Sequence, residues 1–169
     1  MNKKEFECLI LDMSCTEEDI LASSVGVSDE EIILKIEKIS DLEAKDKDGR
    51  TLLINAACYG REKVLHYLLK KGVDVHAKDN DCFTALHAAV IANDIGCVKC
   101  LLEAGCDVNA KNIFGNNPIM LGDYATDLEI YKILMKYGAN PEQKNNYGIS
   151  AKDVFVCSEQ IMKILTGVR

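Results

Sequence analysis

The chain has 169 residues, 48% hydrophobic and 28% charged, a balance that excludes a disordered tail protein and fits one compact domain or one continuous array. Its 20 Lys+Arg against 27 Asp+Glu give a formal charge of −7, which excludes nucleic acid as the main partner because phosphate binding needs a basic stripe. No window of about 18 residues is free of charged and strongly polar groups, so no membrane span is expected. The imbalance is local. Residues 1–45 carry 5 Lys and 12 Asp+Glu, which is −7, and residues 46–169 carry 15 of each sign.

In chain order, residues 2–12 are expected to form a helix that lays Phe6, Leu9 and Ile10 over the end of whatever follows. The run Cys8-Leu9-Ile10-Leu11 is stopped by Asp12 with no small-residue cleavage site behind it, so no secretory signal is expected. A cytoplasmic chain follows, and its eight cysteines read as free, small hydrophobes. Helices are expected near 17–24 and 29–38. Each begins with a hydroxyl before carboxylates, Thr16 before Glu17-Glu18-Asp19 and Ser28 before Asp29-Glu30-Glu31, which suits the positive end of a helix.

From residue 46 a period of 33 takes over. Gly72, Gly105 and Gly138 keep that spacing, and so do Gly49, Gly115 and Gly148, with Cys82 in the vacant slot. Val64-Leu65-His66-Tyr67-Leu68-Leu69 returns as Cys97-Val98-Lys99-Cys100-Leu101-Leu102 and as Ile130-Tyr131-Lys132-Ile133-Leu134-Met135. Each copy reads as a short helix with small Ala56 and Ala57 on its packed face (Leu53 to Tyr59), then a second helix (Glu62 to Lys70). The second helix carries Val64, Tyr67 and Leu68 as its stripe, with Leu65 flanking, and ends at a left-handed Gly72. The link 74–79 would project as a hairpin-like finger. Two such helices cannot bury their faces alone, so neighbouring copies must supply the core.

The unit resembles the ankyrin repeat. The carrying motifs are Thr84-Ala85-Leu86-His87-Ala88-Ala89 and Gly105-Cys106-Asp107-Val108-Asn109-Ala110, followed closely by the segments at 51–57 and 72–77. The resemblance implies an all-α solenoid of stacked helix-turn-helix units with short fingers. The expected division is an acidic N-terminal cap with a degenerate first repeat over 1–45, repeats over 46–78, 79–111 and 112–144, and a shortened C-terminal capping repeat over 145–169. The third repeat departs from the pattern, with Asn117 for threonine, Met120 for histidine, and Gly122-Asp123 in place of small apolar residues. Its first helix is expected to be the weakest, since glycine costs about 1 kcal/mol relative to alanine. Cys82 in place of a turn glycine predicts a different turn geometry there.

Candidate chemistry is sparse. Cys97-Val98-Lys99-Cys100 puts two thiols on one helical face, but they occupy apolar slots of the repeat, and no second ligand pair exists to complete a tetrahedral metal site. Packing is the favoured reading, with a thiol redox or metal role as its alternative. His87 falls where the family's histidine bridges neighbouring fingers. Asp46/Asp48 and Asp79/Asp81 recur because the turn recurs, and calcium loops need ligands that are absent. No catalytic residue, cofactor or metal is expected, and an enzyme is not.

The resemblance implies that a protein partner binds the concave side, made of finger tips and the exposed edge of each first helix. In this chain that face offers Arg50, Tyr59, Phe83, Ile91, Ile113, Phe114, Tyr124 and Tyr147, with aromatic anchors of the kind that dominate interfaces. The bland alternative is that some of these rings fold onto the next finger and finish the core. A monomeric, non-enzymatic interaction module follows. The alternative function is an inhibitor or immunity-type protein that neutralises a basic enzyme or toxin, steered by the acidic cap.

Overall fold

A computed structural model of the chain describes residues 27–122 and 128–155. The helices expected over 2–12 and 17–24, and the distal apolar positions of the C-terminal cap, lie outside the described residues. The described elements are α1 (Asp29–Ile36), α2 (Leu52–Cys58), α3 (Glu62–Lys70), α4 (Ala85–Ile91), α5 (Ile95–Glu103), a 3-10 turn (Pro118–Met120), α6 (Glu129–Lys136) and α7 (Ala151–Phe155). Among the described residues there is no strand.

These elements form two stacked rows. In the inner row α2 packs on α4, α4 on the 3-10 turn, and that turn on α7. In the outer row α1 packs on α3, α3 on α5, and α5 on α6. The period of 33 explains the stacking: Ile32, Leu65, Val98 and Tyr131 occupy one fully buried outer-row slot, and Leu68, Leu101 and Leu134 another. Each removes its side chain from water only because the next copy covers it, about 1.5–3 kcal/mol apiece for the aliphatic members. Leu65 is therefore core, not a flanking residue. Tyr67, assigned to the stripe, is only half-buried, and Lys71 lies 5.2 Å from its ring centroid. The inner row approaches closely because Ala56, Ala57, Ala85, Ala88 and Ala89 are small and buried.

Local chemistry sets the helix ends. Ser28 and Glu31 form a reciprocal capping box: Glu31 N donates to Ser28 Oγ at 3.2 Å and Ser28 N to Glu31 Oε2 at 3.3 Å. Helix α1 stops at Ile36, short of the expected residue 38, because its last turn tightens. Lys38 N donates to Lys35 O and Ile39 N to Ile36 O, three residues back instead of four. Part of the N-terminal acidity is also structural, since Asp29 meets Arg61 at 3.1 Å and Glu30 meets Lys63 at 2.8 Å across the α1–α3 contact.

The inner-row helix of the third repeat is reduced to the 3-10 turn. Thr51 Oγ1 and Thr84 Oγ1 accept the N–H groups of Ile54 and His87, both at 3.4 Å, and so cap α2 and α4. Asn117, in the same slot, makes no side-chain cap. Its Nδ2 donates instead to Asn140 O at 3.1 Å and Gln143 Oε1 at 3.0 Å, tying the turn to the next finger. Pro118 starts the turn without an N–H.

Candidate functional site

The fingers are built by one recurring turn. Asp46, Asp79, Asn112 and Asn145 each present Oδ1 to the N–H groups two and four residues on, at 2.8–3.0 Å. Asparagine does this as well as aspartate, so the turn needs the oxygen but not the charge. Gly49, Gly115 and Gly148 follow at φ +78, +77 and +76. Cys82 takes φ +60 on the second finger, and its N–H donates to Asp79 O at 3.1 Å as Gly49 N does to Asp46 O. The different geometry expected at Cys82 is not adopted. The Asp79 grip holds a non-glycine residue in the left-handed region, at a cost of about 1–2 kcal/mol.

Neighbouring fingers are bonded tip to tip. Asn80 N donates to Asp48 O, Ile113 N to Asp81 O and Asn146 N to Phe114 O, each at 3.0 Å. Asn80 and Asn146 add a side-chain clip, Nδ2 donating to Lys47 O at 3.3 Å and to Ile113 O at 2.9 Å. Ile113, in the same slot, cannot make that bond and stays exposed. A lysine series at the finger bases escaped the sequence reading, although its signal was a spacing of 33. Lys45 Nζ donates to Lys78 O at 2.8 Å, Lys78 Nζ to Lys111 O at 3.3 Å, and Lys111 Nζ to Lys144 O at 3.2 Å. This ties Lys78 into the stack.

His87 links the second and third repeats. Its Nδ1 accepts from Thr84 N at 3.1 Å and lies 2.8 Å from Thr84 Oγ1, while Nε2 sits 3.2 Å from Asn116 O. Those partners assign the neutral ring with its proton on Nε2, because Nδ1 receives a backbone N–H. Burial holds its pKa down at about 4.

Three of the sequence-identified residues converge on one cleft. Arg50, Phe83 and Ile91 line a concavity of about 360 Å³ between the first two fingers, with Ile54, Cys58, Asp79, Asp81, Ala88 and Ala92. Arg50 Nε lies 3.9 Å from Asp79 Oδ2. Phe83 is half-buried, its ring 5.4 Å from that of His87, so it finishes the core and lines the cleft at once. Ile91, the last residue of α4, is 56% exposed. Tyr59, at the C-cap of α2, is exposed but outside the cleft lining. On the third and fourth fingers Ile113 is 45%, Phe114 42% and Tyr147 71% exposed, beside Ile149. Tyr124 lies outside the described residues.

The thiols pack. Cys97 is fully buried, and burial pushes its thiol up. Cys106 is half-buried, its thiol pushed up to about 12 by burial, and Cys100 is raised for the same reason. Cys100 is half-buried, as are Tyr67 and Ile133 in the same slot, so that position is a margin of the core. Among the described residues no group of three or more His, Cys, Asp or Glu is placed to hold a metal ion. None of the described helices is long and apolar enough to cross a membrane.

Two rows of helices with a row of bonded fingers define a repeat solenoid. A family model of ankyrin repeats matches residues 20–112 and 78–145, in three copies, and the chain belongs to the ankyrin repeat family. Ankyrin repeats generally mediate protein–protein interactions. No curated protein matches the chain.

Proposed function

We propose that the chain is a monomeric, non-enzymatic, cytoplasmic module that binds another protein through its concave face. The observation that carries this is the distribution of exposed apolar side chains. Of the nine large hydrophobics exposed among the described residues, six lie on finger tips or inner-row helix ends: Tyr59, Ile91, Ile113, Phe114, Tyr147 and Ile149. Scattered exposed apolars need no explanation, but a set collected on one face of a stack does. A pre-ordered surface also limits the ordering cost of association. On this reading the chain divides into the acidic cap over 1–45, repeats over 46–78, 79–111 and 112–144, and a capping repeat over 145–169.

The test is to capture a partner from native lysate and measure its affinity for a variant with Tyr59, Phe83, Phe114 and Tyr147 all changed to Ala. A loss of at least about 100-fold is expected, since central anchors are worth about 2 kcal/mol or more each. Unchanged affinity overturns the reading. A second reading, inhibition of a basic enzyme or toxin, is favoured by the −7 carried on residues 1–45. It requires that the captured partner be a basic enzyme whose activity falls on mixing, with strong salt dependence.

A further inference from the structure

The four fingers do not present the same chemistry. The first two, 46–50 and 79–83, carry Asp46, Lys47, Asp48, Arg50, Asp79 and Asp81, a net charge of −2. The last two, 112–116 and 145–149, carry no charged residue. The turn does not demand this difference, because Asn112 and Asn145 accept the same N–H groups as Asp46 and Asp79. Asp48 and Asp81 go further. Both are exposed, and neither carboxylate has a hydrogen-bond or ion-pair partner among the described residues. Asp81 also lines the cleft, together with Ile54, Phe83 and Ile91.

The opposite end of the face is apolar, and part of that is gratuitous for the fold. Ile113 gives up the clip that Asn80 and Asn146 make in its slot and exposes an aliphatic chain beside Phe114, Tyr147 and Ile149.

Resting on the concave-face reading, we infer that the partner presents an extended, bipartite segment. A lysine or arginine sits at the cleft, its stem over Phe83 and Ile91 and its charge toward Asp81 and Asp48. An aromatic or aliphatic pair seats on Ile113, Phe114 and Tyr147. The charge sign selects a basic segment over an acidic one, because the two fingers sum to −2 with Lys47 and Arg50 counted, and Arg50 in the cleft is already directed at Asp79 at 3.9 Å. Geometry sets the spacing. Packed helices lie about 10 Å apart, so the two subsites are about 20 Å apart across two repeats. An extended chain rises about 3.3 Å per residue, which places the basic side chain about six residues from the apolar pair.

The experiment pans a display library of random 15-residue peptides against the full chain, then titrates the enriched sequence as a synthetic peptide. The expected enrichment is a Lys or Arg about six positions from an apolar pair, in one chain direction. Asp48→Asn combined with Asp81→Asn should weaken that peptide about fivefold and flatten its salt dependence. Ile113→Ser combined with Phe114→Ser should weaken it more than about tenfold. All four side chains are exposed, so unchanged melting of both variants verifies that they fold. Enriched peptides that are acidic or uncharged, no enrichment at all, or an unaltered salt response in the Asn variant would overturn the bipartite segment. If the Ser variant alone loses binding, the concave face stands and the basic subsite falls. If neither variant loses binding, both readings fall.

Discussion

The sharpest physical test concerns His87. Its ring is buried, neutral and bonded on both nitrogens, with a pKa of about 4 against about 6.5 in an exposed chain. Burial disfavours the imidazolium, and Nδ1 receives a backbone N–H that a protonated ring would repel. The unfolded chain therefore takes up the proton first as pH falls. The contribution of the neutral ring is complete above about pH 6.5, is lost between about 6.5 and 4, and is constant below that. Integration from pH 7.5 to 5 gives a loss of about 2 kcal/mol, rising toward about 3 kcal/mol below pH 4. The assay is urea unfolding of the wild type and His87→Met, the residue that Met120 places in the same slot, at pH 7.5, 6 and 5. At pH 7.5 the variant should be less stable by about 1–3 kcal/mol, because Thr84 N loses its acceptor and Asn116 O its donor. Between pH 7.5 and 5 the wild type should lose about 2 kcal/mol more than the variant, so the two converge. Parallel pH profiles would refute the buried neutral ring, since all other titrating groups are common to both proteins.

The turn glycines should separate by their surroundings. Gly49→Ala forces a Cβ to within 2.8 Å of Asn80 N at φ +78 and should cost more than about 2 kcal/mol by chemical denaturation, while Gly105→Ala, at φ +81 with nothing within 4 Å, should cost only the backbone strain of about 1–2 kcal/mol. In the native protein at pH 8, Cys97 and Cys106 should resist alkylation over times that fully modify the unfolded chain, as read by peptide mass mapping; rapid labelling of Cys97 would show that the outer row opens. Cys82→Gly with Ile113→Asn should stabilise the fold by about 1 kcal/mol through relief of the left-handed strain and a new clip to Asn80 O, with the pair exceeding the sum of the single changes; additive effects would uncouple the two positions.

Much of the fold was legible because its repeat register is written in side-chain volume. Ile32, Leu65, Val98 and Tyr131 differ in shape, yet each fills the same buried slot of the outer row, and the bounds of α3 follow to the residue. The weak first helix of the third repeat was legible too, from Gly122 and the missing threonine. What escaped were effects decided by tertiary bonds. Cys82 looks incompatible with a left-handed turn on propensity alone. Asp79 beneath it and the Asn80–Asp48 bond beside it nonetheless override a penalty of about 1–2 kcal/mol. The period anticipated the exposure of Tyr59, Ile91, Ile113, Phe114 and Tyr147, but not that Arg50 and Phe83 are half-buried or how these residues group. Arg50, Phe83 and Ile91 share a cleft, whereas Ile113, Phe114 and Tyr147 are exposed on the third and fourth fingers outside its lining.

The two anomalies of the second and third fingers have one structural logic. At Gly49 and Gly115 the absent Cβ leaves room for Asn80 and Asn146 to lie back over the turn and clip the preceding carbonyl. At Cys82 the Cβ fills that room, and the residue that would clip is Ile113. The exchange of Gly–Asn for Cys–Ile therefore gives up one hydrogen bond and adds backbone strain, and what it leaves is an exposed aliphatic side chain next to Phe114. A fold under no other demand would gain by the Gly–Asn pair that its other fingers use. The less stable pair reaches from the cleft-lining finger to the third finger, and what it leaves exposed, Ile113 beside Phe114, is the apolar part of the face that the concave-face proposal assigns to binding.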